Sequence, residues 1–351
     1  MNIQIITKTF EYSNKNSIIF PFLAFKKELN QANIFFKILF NLDKINYSEI
    51  IIVDSKYHRN YWNKNANKIY DDFIKLKKYT NKLIYFDTTD STGMIQSEIF
   101  SYINRYWKFQ ILKDKSLYKK PLYGGRIFSD YYHNEFNIND KNTLYSKSVD
   151  NIETDKISLA WNFGLADYSY KNKYLFFLRK KLLWNQLFSF PSKKKHNKKN
   201  LLFATFNNNY SRQTIAFQRK KIKNFMKDAY VEKLPEFKYH MKLSSSKCVI
   251  SPFGWGEIAY RDFEAFFNKC TLIKPNMDHL TTWPNFFIKN ETYVDFSWDF
   301  SDLFNVMEDI KLGSKKYEDI SLNGYNTYHK YTSGNKAGKY FLEHLNNLLN
   351  E

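Results

Sequence analysis

Short apolar runs recur along this chain with room for one helix between successive runs. Asn2–Ile6, Glu49–Val53, Lys82–Phe86, Leu201–Thr205, Cys248–Ile250, Thr271–Ile273 and Tyr293–Phe296 each read as a strand. The second and third of these run into Asp54 and Asp87. Amphipathic segments lie between them, and a parallel strand pair needs a crossover of about that length, so the rhythm predicts α/β layers with parallel sheets. Strands continue to about residue 165, and Leu201-Leu-Phe-Ala-Thr-Phe206 opens a second series. A hinge is therefore expected near 170–200. At 351 residues each half is long enough to bury its own core. The expected organisation is one domain over 1–170, an inter-domain segment over 171–200, a second domain over 201–335, and a last helix over 336–351. No internal repeat of 20–50 residues is visible.

Residues 247–275 hold a strand, a glycine turn, a helix and a second strand in immediate succession. Pro252, Gly254 and Gly256 interrupt the first apolar run; Ala259, Phe263, Phe266 and Phe267 then recur at helical spacing before Thr271–Ile273. Gly254 and Gly256 allow a close backbone approach to a ligand. A helix opening near Glu257 would aim unpaired N–H groups and its positive end at the turn, where a diphosphate is stabilised. Glu257, Arg261 and Glu264 follow at i, i+4 and i+7, one polar stripe suited to sugar hydroxyls. Ligands of open α/β sheets sit at the carboxyl ends of the strands, which would gather Asp87, Asp90, Asn207–Asn209 and the glycine turn around one cleft.

Ser251-Pro-Phe-Gly-Trp-Gly-Glu257, followed by Arg261-Asp-Phe-Glu264 and Leu272-Ile-Lys-Pro275, resembles the donor half of a GT-B glycosyltransferase, in the group that includes exostosin-like and bacterial surface-polysaccharide enzymes. Phe86-Asp-Thr-Thr-Asp-Ser-Thr-Gly93, Lys120-Pro-Leu-Tyr-Gly-Gly-Arg126 with Tyr131-Tyr-His133, and Ala160-Trp-Asn-Phe-Gly164 are similar to the same group, so about two thirds of the chain is covered. The resemblance implies two Rossmann-like domains facing across a cleft, the first on the acceptor side and the second binding a nucleotide-sugar, with the C-terminal helix crossing back to the first domain. It also implies that Glu264 holds the ribose hydroxyls, with Gly254, Trp255, Gly256, Glu257 and Arg261 lining the donor site. Two glutamates with seven residues between them are the common pattern; here six residues separate Glu257 from Glu264. Glu257 and Arg261 can equally form a surface pair, and Glu264 can pair with Arg261 or Lys269. Arg212 can hold the leaving diphosphate through paired hydrogen bonds. Arg219 reads as the wet face of the next helix. Trp283 reads as core packing more than as a platform for the donor. No Asp-x-Asp occurs, so metal-independent transfer is expected, with no cofactor beyond the donor itself.

Three residues are candidate catalytic bases. Asp87 and Asp90 follow an apolar strand, where a carboxylate can accept the proton of an acceptor hydroxyl; helix capping by Asp90 is the competing reading. His133 is the third, with packing against its aromatic neighbours as the alternative. The sequence does not choose among them.

Charge adds one feature. Of a net +19, residues 171–200 carry ten Lys or Arg and no acid. Within them Tyr174–Phe190 mixes aromatic, apolar and basic side chains as an interfacial helix does, which points to an anionic membrane surface; a core-packed helix followed by a solvated basic loop at 193–199 is the alternative. The first residues lack a basic leader, and no apolar run approaches the roughly 18 residues of a spanning helix, so a cytoplasmic protein, peripheral on the membrane at most, is expected. Cys248 and Cys270 read as buried thiols. The basic pI of ≈ 9.5 and the 27 Tyr also allow a nucleic-acid-binding protein, though no such module is recognisable. An inactive glycan-binding relative is the other alternative to a transferase acting on a glycan or lipid-linked acceptor.

Overall fold

The structure, a computed structural model, describes residues 1–8, 17–62, 64–169, 188–194, 196–226 and 229–351. Two parallel sheets organise it. The first has strand order β2-β1-β3-β4-β5-β7, built from β1 (Asn2–Ile6), β2 (Phe35–Leu39), β3 (Ser48–Asp54), β4 (Thr80–Asp87), β5 (Arg105–Lys108) and β7 (Ile157–Leu159). The second has order β12-β10-β9-β8, from β8 (Asn200–Phe203), β9 (Ser246–Ile250), β10 (Thr271–Pro275) and β12 (Tyr293–Phe296). Short β6 (Gln110–Leu112) from the first half pairs antiparallel with β11 (Leu280–Thr282) from the second, a ribbon that stitches the halves together. Five helices bear on the site: α1 (Ile127–Phe136), α2 (Gln213–Met226), α3 (Glu236–Ser245), α4 (Tyr260–Phe267) and α5 (Ala337–Asn350).

Ile50–Val53 of β3 and Leu83–Phe86 of β4 are buried on both faces, which is why they read as unbroken apolar runs. The first sheet reverses its winding at β1: the chain goes out to β2 and returns to β3 on the other side. That switch point leaves a crevice outside the carboxyl ends of β1 and β3. The last helix, α5, returns to the first domain as expected. Phe341 packs against Phe22, Phe25 and Trp161, Lys82 donates to the Leu349 carbonyl at 2.8 Å, and His344 Nε2 lies 3.2 Å from the Ala160 carbonyl. Two facing parallel-sheet domains with a returning C-terminal helix are the GT-B architecture that the resemblance implies.

Two expectations are corrected here. The helix expected near Glu257 begins at Tyr260, because Asp262 accepts from the Ala259 N–H at 2.9 Å and closes the first turn there. Glu257 is thus in the loop, and no stripe joins it to Arg261 and Glu264. The segment 193–199 is not simply a solvated loop either. Lys198 Nζ donates to the Ser246 and Asn268 carbonyls at 2.8 and 2.6 Å, and the Lys194 N–H donates to Tyr325 Oη at 2.9 Å. The expected interfacial helix, Tyr174–Phe190, lies almost wholly outside the described residues; of it, Phe188 meets Phe20 edge-on, as does the neighbouring Phe190. No helix among the described residues is long and apolar enough to cross a membrane.

Candidate functional site

A cleft of about 750 Å³ opens at the carboxyl ends of the first sheet. Lys8, Lys56, Arg59 and Asp90 line one side, and Trp255 and Tyr260 come from the second domain. Lys8 just past β1, the loops following β3 and β4, and the glycine turn between β9 and α4 line it, and Phe109, Arg126 and Phe163 complete the wall.

Of the three candidate bases, Asp90 alone reaches this cleft. Its backbone carbonyl is fixed by Gln110 Nε2 at 3.0 Å, while its side chain is exposed. Protein nevertheless crowds the carboxyl, and this confinement raises its pKa even though Arg126, Arg59, Lys56 and Lys108 pull the other way. Asp87, three residues earlier, is fully buried. It accepts from Lys108 Nζ at 2.5 Å, Tyr106 Oη at 2.8 Å and the Thr89 N–H at 2.8 Å, so it is the anchor of the Asp90 loop, with its oxygens turned inward. His133 ends α1, stacked on Tyr123 with ring centroids 3.9 Å apart and with Nδ1 3.1 Å from the Ile138 carbonyl. It is a packing residue outside the cleft lining.

The glycine turn works differently from the sequence expectation. A Cβ on Gly256 would fall 2.0 Å from the Asp90 carbonyl oxygen and 2.6 Å from its carbon, so the close approach is to the chain's own backbone in the other domain. Glu257 next to it is wholly buried. Its Oε2 accepts from both Thr92 Oγ1 (2.8 Å) and the Thr92 N–H (3.2 Å), and its Oε1 lies 3.9 Å from His279 Nε2. Burial opposes ionisation here, yet His279 and Thr92 outweigh it and hold the carboxyl below its ordinary pKa. Arg126 Nε donates to the Trp255 carbonyl and its guanidinium lies over the Trp255 ring. Trp255, Gly256 and Glu257 therefore each dock on the first domain beside Asp90, and Glu257 is an inter-domain clasp where a donor contact was expected.

Toward the second sheet, Arg219 corrects another expectation. It is buried, donating through Nε to the Phe253 carbonyl at 2.6 Å and through Nη1 to the Asn207 carbonyl at 2.7 Å, with Tyr210 4.7 Å from its guanidinium. Desolvation lowers its pKa to about 10. It braces the loop that carries Gly254, whose own Cβ would lie 3.1 Å from Arg219 Nη2. Arg212 pairs with Asp140 of the first domain at 3.4 Å. On α4, Glu264 Oε2 accepts from Tyr239 Oη at 2.5 Å, and Arg261 Nε is buried without a hydrogen-bond partner. Charge interactions place Arg261 close to Arg219, Tyr230 and Tyr239. Glu264 and Arg261 are thus brought together; Glu257 is not with them. Trp283 stacks flat on His344 at 3.8 Å and accepts from the Asn162 N–H through its carbonyl, in keeping with core packing.

Sequence reasoning missed Thr92 and His279 as partners of Glu257, and nothing local marks them. It also passed over Lys108 and Lys274. Each is a lysine in an apolar strand, fully buried and paired with a buried aspartate, Asp87 and Asp262 respectively. A lone Lys inside such a run is the signal that was there to read. Among the described residues no cluster of three or more metal-ligating side chains occurs.

No protein-family model matches the chain, and no curated protein matches it. Among solved structures, Anabaena HepE in complex with UDP-glucose is similar over 99% of this chain and 100% of its own, at 9% identity and a TM-score of 0.45. The T4 phage β-glucosyltransferase in complex with its UDP-glucose substrate aligns over the whole of both chains, at 12% identity and a TM-score of 0.49. A glycosyltransferase from Rickettsia africae aligns over 99% of this chain and 98% of its own, at 12% identity and a TM-score of 0.46. Likenesses at this level say nothing about the chemistry of this chain, which has to come from its own residues.

Proposed function

We propose that the chain is a glycosyltransferase that moves a sugar from a nucleotide-activated donor to a hydroxyl of a glycan or lipid-linked acceptor. The observation that carries this reading is Asp90: an exposed carboxylate with a raised pKa, held at the carboxyl end of β4 and facing a second parallel-sheet domain across the cleft. In this reading the acceptor hydroxyl lies on the first-domain side. Its oxygen attacks the anomeric carbon, the bond to the diphosphate breaks, and the hydroxyl proton passes to Asp90. Glu264 and Arg261 hold the ribose at the carboxyl end of β9, and the Gly254 loop braced by Arg219 approaches the phosphates. The nearby cations stabilise the leaving diphosphate without a metal. The resemblance of Ser251–Glu257 and the neighbouring motifs to bacterial surface-polysaccharide enzymes is the ground for a role in glycoconjugate synthesis.

Titration with UDP, GDP and CMP tests the donor site. One of them should bind selectively, and Glu264→Ala should weaken that binding at least tenfold with an unchanged melting temperature. Unchanged affinity in this variant removes Glu264 from the site. Salt-sensitive RNA binding with no nucleotide preference would favour the nucleic-acid alternative.

A further inference from the structure

The backbone that carries Asp90 is pinned residue by residue, and one of the pins comes from the other domain. Asp90 is exposed to the cleft, so the place of its carboxylate is set by the segment 88–94, which belongs to no helix or strand. Asp87 accepts from the Thr89 N–H at 2.8 Å, Gln110 Nε2 donates to the Asp90 carbonyl at 3.0 Å, Ser91 Oγ donates to the Gly125 carbonyl at 2.5 Å, and Tyr118 Oη donates to the Thr92 carbonyl at 3.2 Å. Those four partners belong to the first domain. Another does not: Glu257, from the second, accepts both the hydroxyl and the N–H of Thr92 on one oxygen. Thr92 and Glu257 are both fully buried, and Gly256 beside Glu257 packs against the Asp90 carbonyl.

The loop that bears Glu257 is tied down at its other end by groups of the second domain. Phe253 donates its N–H to Gln218 Oε1 at 2.8 Å, and its carbonyl accepts from Arg219 Nε at 2.6 Å. Between Phe253 and Glu257 the chain thus runs from the bracing of the Gly254 loop to the backbone two residues from Asp90. A carboxylate is costly to bury unless it is well bonded, and the bonds it accepts are shorter and stronger than those of a neutral group. An amide side chain could accept the same two bonds from Thr92, so the use of a buried carboxylate marks a placement with little slack. A base misplaced by about 1 Å can lose about 100-fold in rate. We propose that Glu257 is a positioning residue for Asp90: through Thr92 it sets the segment that carries the base, and it ties that setting to the loop on the donor side. This rests on Asp90 being the base of the proposed transfer; the placement itself can be measured without turnover.

The readout is the Asp90 carboxyl itself, in intact protein labelled with carbon-13 at aspartate Cγ and titrated by NMR; its resonance is the one missing from Asp90→Asn. Confinement raises the Asp90 pKa, so a segment that loosens and admits water should let it fall toward that of an ordinary aspartate. Thr92→Val keeps the shape of the side chain and removes the hydroxyl, and it should lower the midpoint by about 0.5 pH unit or more. Thr92→Ser, which keeps the hydroxyl, should titrate as wild type does. Thr92→Ala serves where the valine variant does not fold, with the same expected shift. Thr214→Val is the control, because Thr214 Oγ1 donates to Asp140 of the first domain at 3.2 Å and its loss removes a bond of the same kind at another point of the junction. It should leave the Asp90 midpoint in place. A Thr92→Val midpoint equal to that of wild type overturns the proposal. So does an equal shift in Thr214→Val, since the effect would then belong to domain docking in general. Transfer that survives Asp90→Asn would count against the base reading alone, because the titration reads the placement of Asp90 whatever its part in the reaction.

Discussion

Gly256→Ala is the sharpest test of how the two domains meet. The added methyl would lie 2.0 Å from the Asp90 carbonyl oxygen, 2.6 Å from its carbon and 3.0 Å from its Cβ, and the two nearest of these are backbone atoms that no rotamer change can remove. Ordinary contact begins at 3.4 Å, so the loops must part by about 1.4 Å. A displacement of that size stretches the 2.8 Å bond from Thr92 Oγ1 to Glu257 beyond hydrogen-bond range and weakens the contact of Arg126 with the Trp255 carbonyl. Hydrogen bonds to charged groups contribute about 1.5–3 kcal/mol each, and overpacking that the loops cannot relieve costs about 1–3 kcal/mol. We therefore expect a loss of about 2–4 kcal/mol, which for domains of this size lowers the melting temperature by roughly 5–15 °C. Gly313→Ala is the control. Its backbone is left-handed, as that of Gly256 is not, but no atom lies within 4 Å of the new Cβ, so only the conformational cost of about 1 kcal/mol remains. Calorimetry on both variants decides the matter. A Gly256→Ala protein that melts with wild type, or no lower than the control, would mean that the Asp90 and Trp255–Glu257 loops are not in contact in solution.

Three further outcomes are expected. Because confinement raises the Asp90 pKa and the base must be ionised to work, transfer should be lost as pH falls through a value above that of an ordinary aspartate; Asp90→Asn should lower the rate about 10²–10⁴-fold and remove that limb of the pH–rate profile, and an unchanged profile refutes the assignment. Lys108→Met leaves Asp87 buried without its cation and should cost about 3–5 kcal/mol in denaturant unfolding, most of it recovered when Asp87→Leu is added; a single variant as stable as wild type would show the pair to be unimportant. EDTA should leave turnover unchanged, and activity that disappears with chelator and returns with Mg²⁺ or Mn²⁺ overturns metal-independent transfer.

The parts of the fold that could be read from sequence are those in which one physical constraint acts locally. β3, β4 and β10 are covered on both faces, so their composition alone announces them. β2 escapes because it is an edge strand whose Phe35 is 49% exposed and whose Lys37 breaks the apolar run. β5 and β7 have only four and three residues, too few to display a period. Helix α4 was read three residues early for a comparable reason: Gly256 and Glu257 look like a helix start, whereas the start belongs to Asp262, whose carboxylate reaches back to the Ala259 N–H.

The candidate site was legible one side at a time, and its errors have a single origin. Gly256, Glu257 and Arg219 were read as if a ligand or water lay opposite them, when the group opposite is another part of the chain. Gly256 is small for the sake of Asp90, 166 residues away; Glu257 is acidic for Thr92, 165 residues away; and Arg219 is cationic for the carbonyls of Phe253 and Asn207. A residue type constrained by a ligand and one constrained by a distant backbone leave the same mark in a sequence, since both demand smallness, charge or a donor at one position. What separates them is whether the partner is already present in the folded chain. By that measure Arg219 is satisfied and Glu257 is held through Oε2, although its Oε1, like Arg261 Nε, lacks a hydrogen-bond partner, whereas Asp90 remains open to the cleft. Asp90, which no partner in the chain covers, and Arg261, the half-buried cation beside Glu264, are the side chains a substrate has reason to meet, and they lie on opposite sides of the junction that Gly256 and Glu257 close.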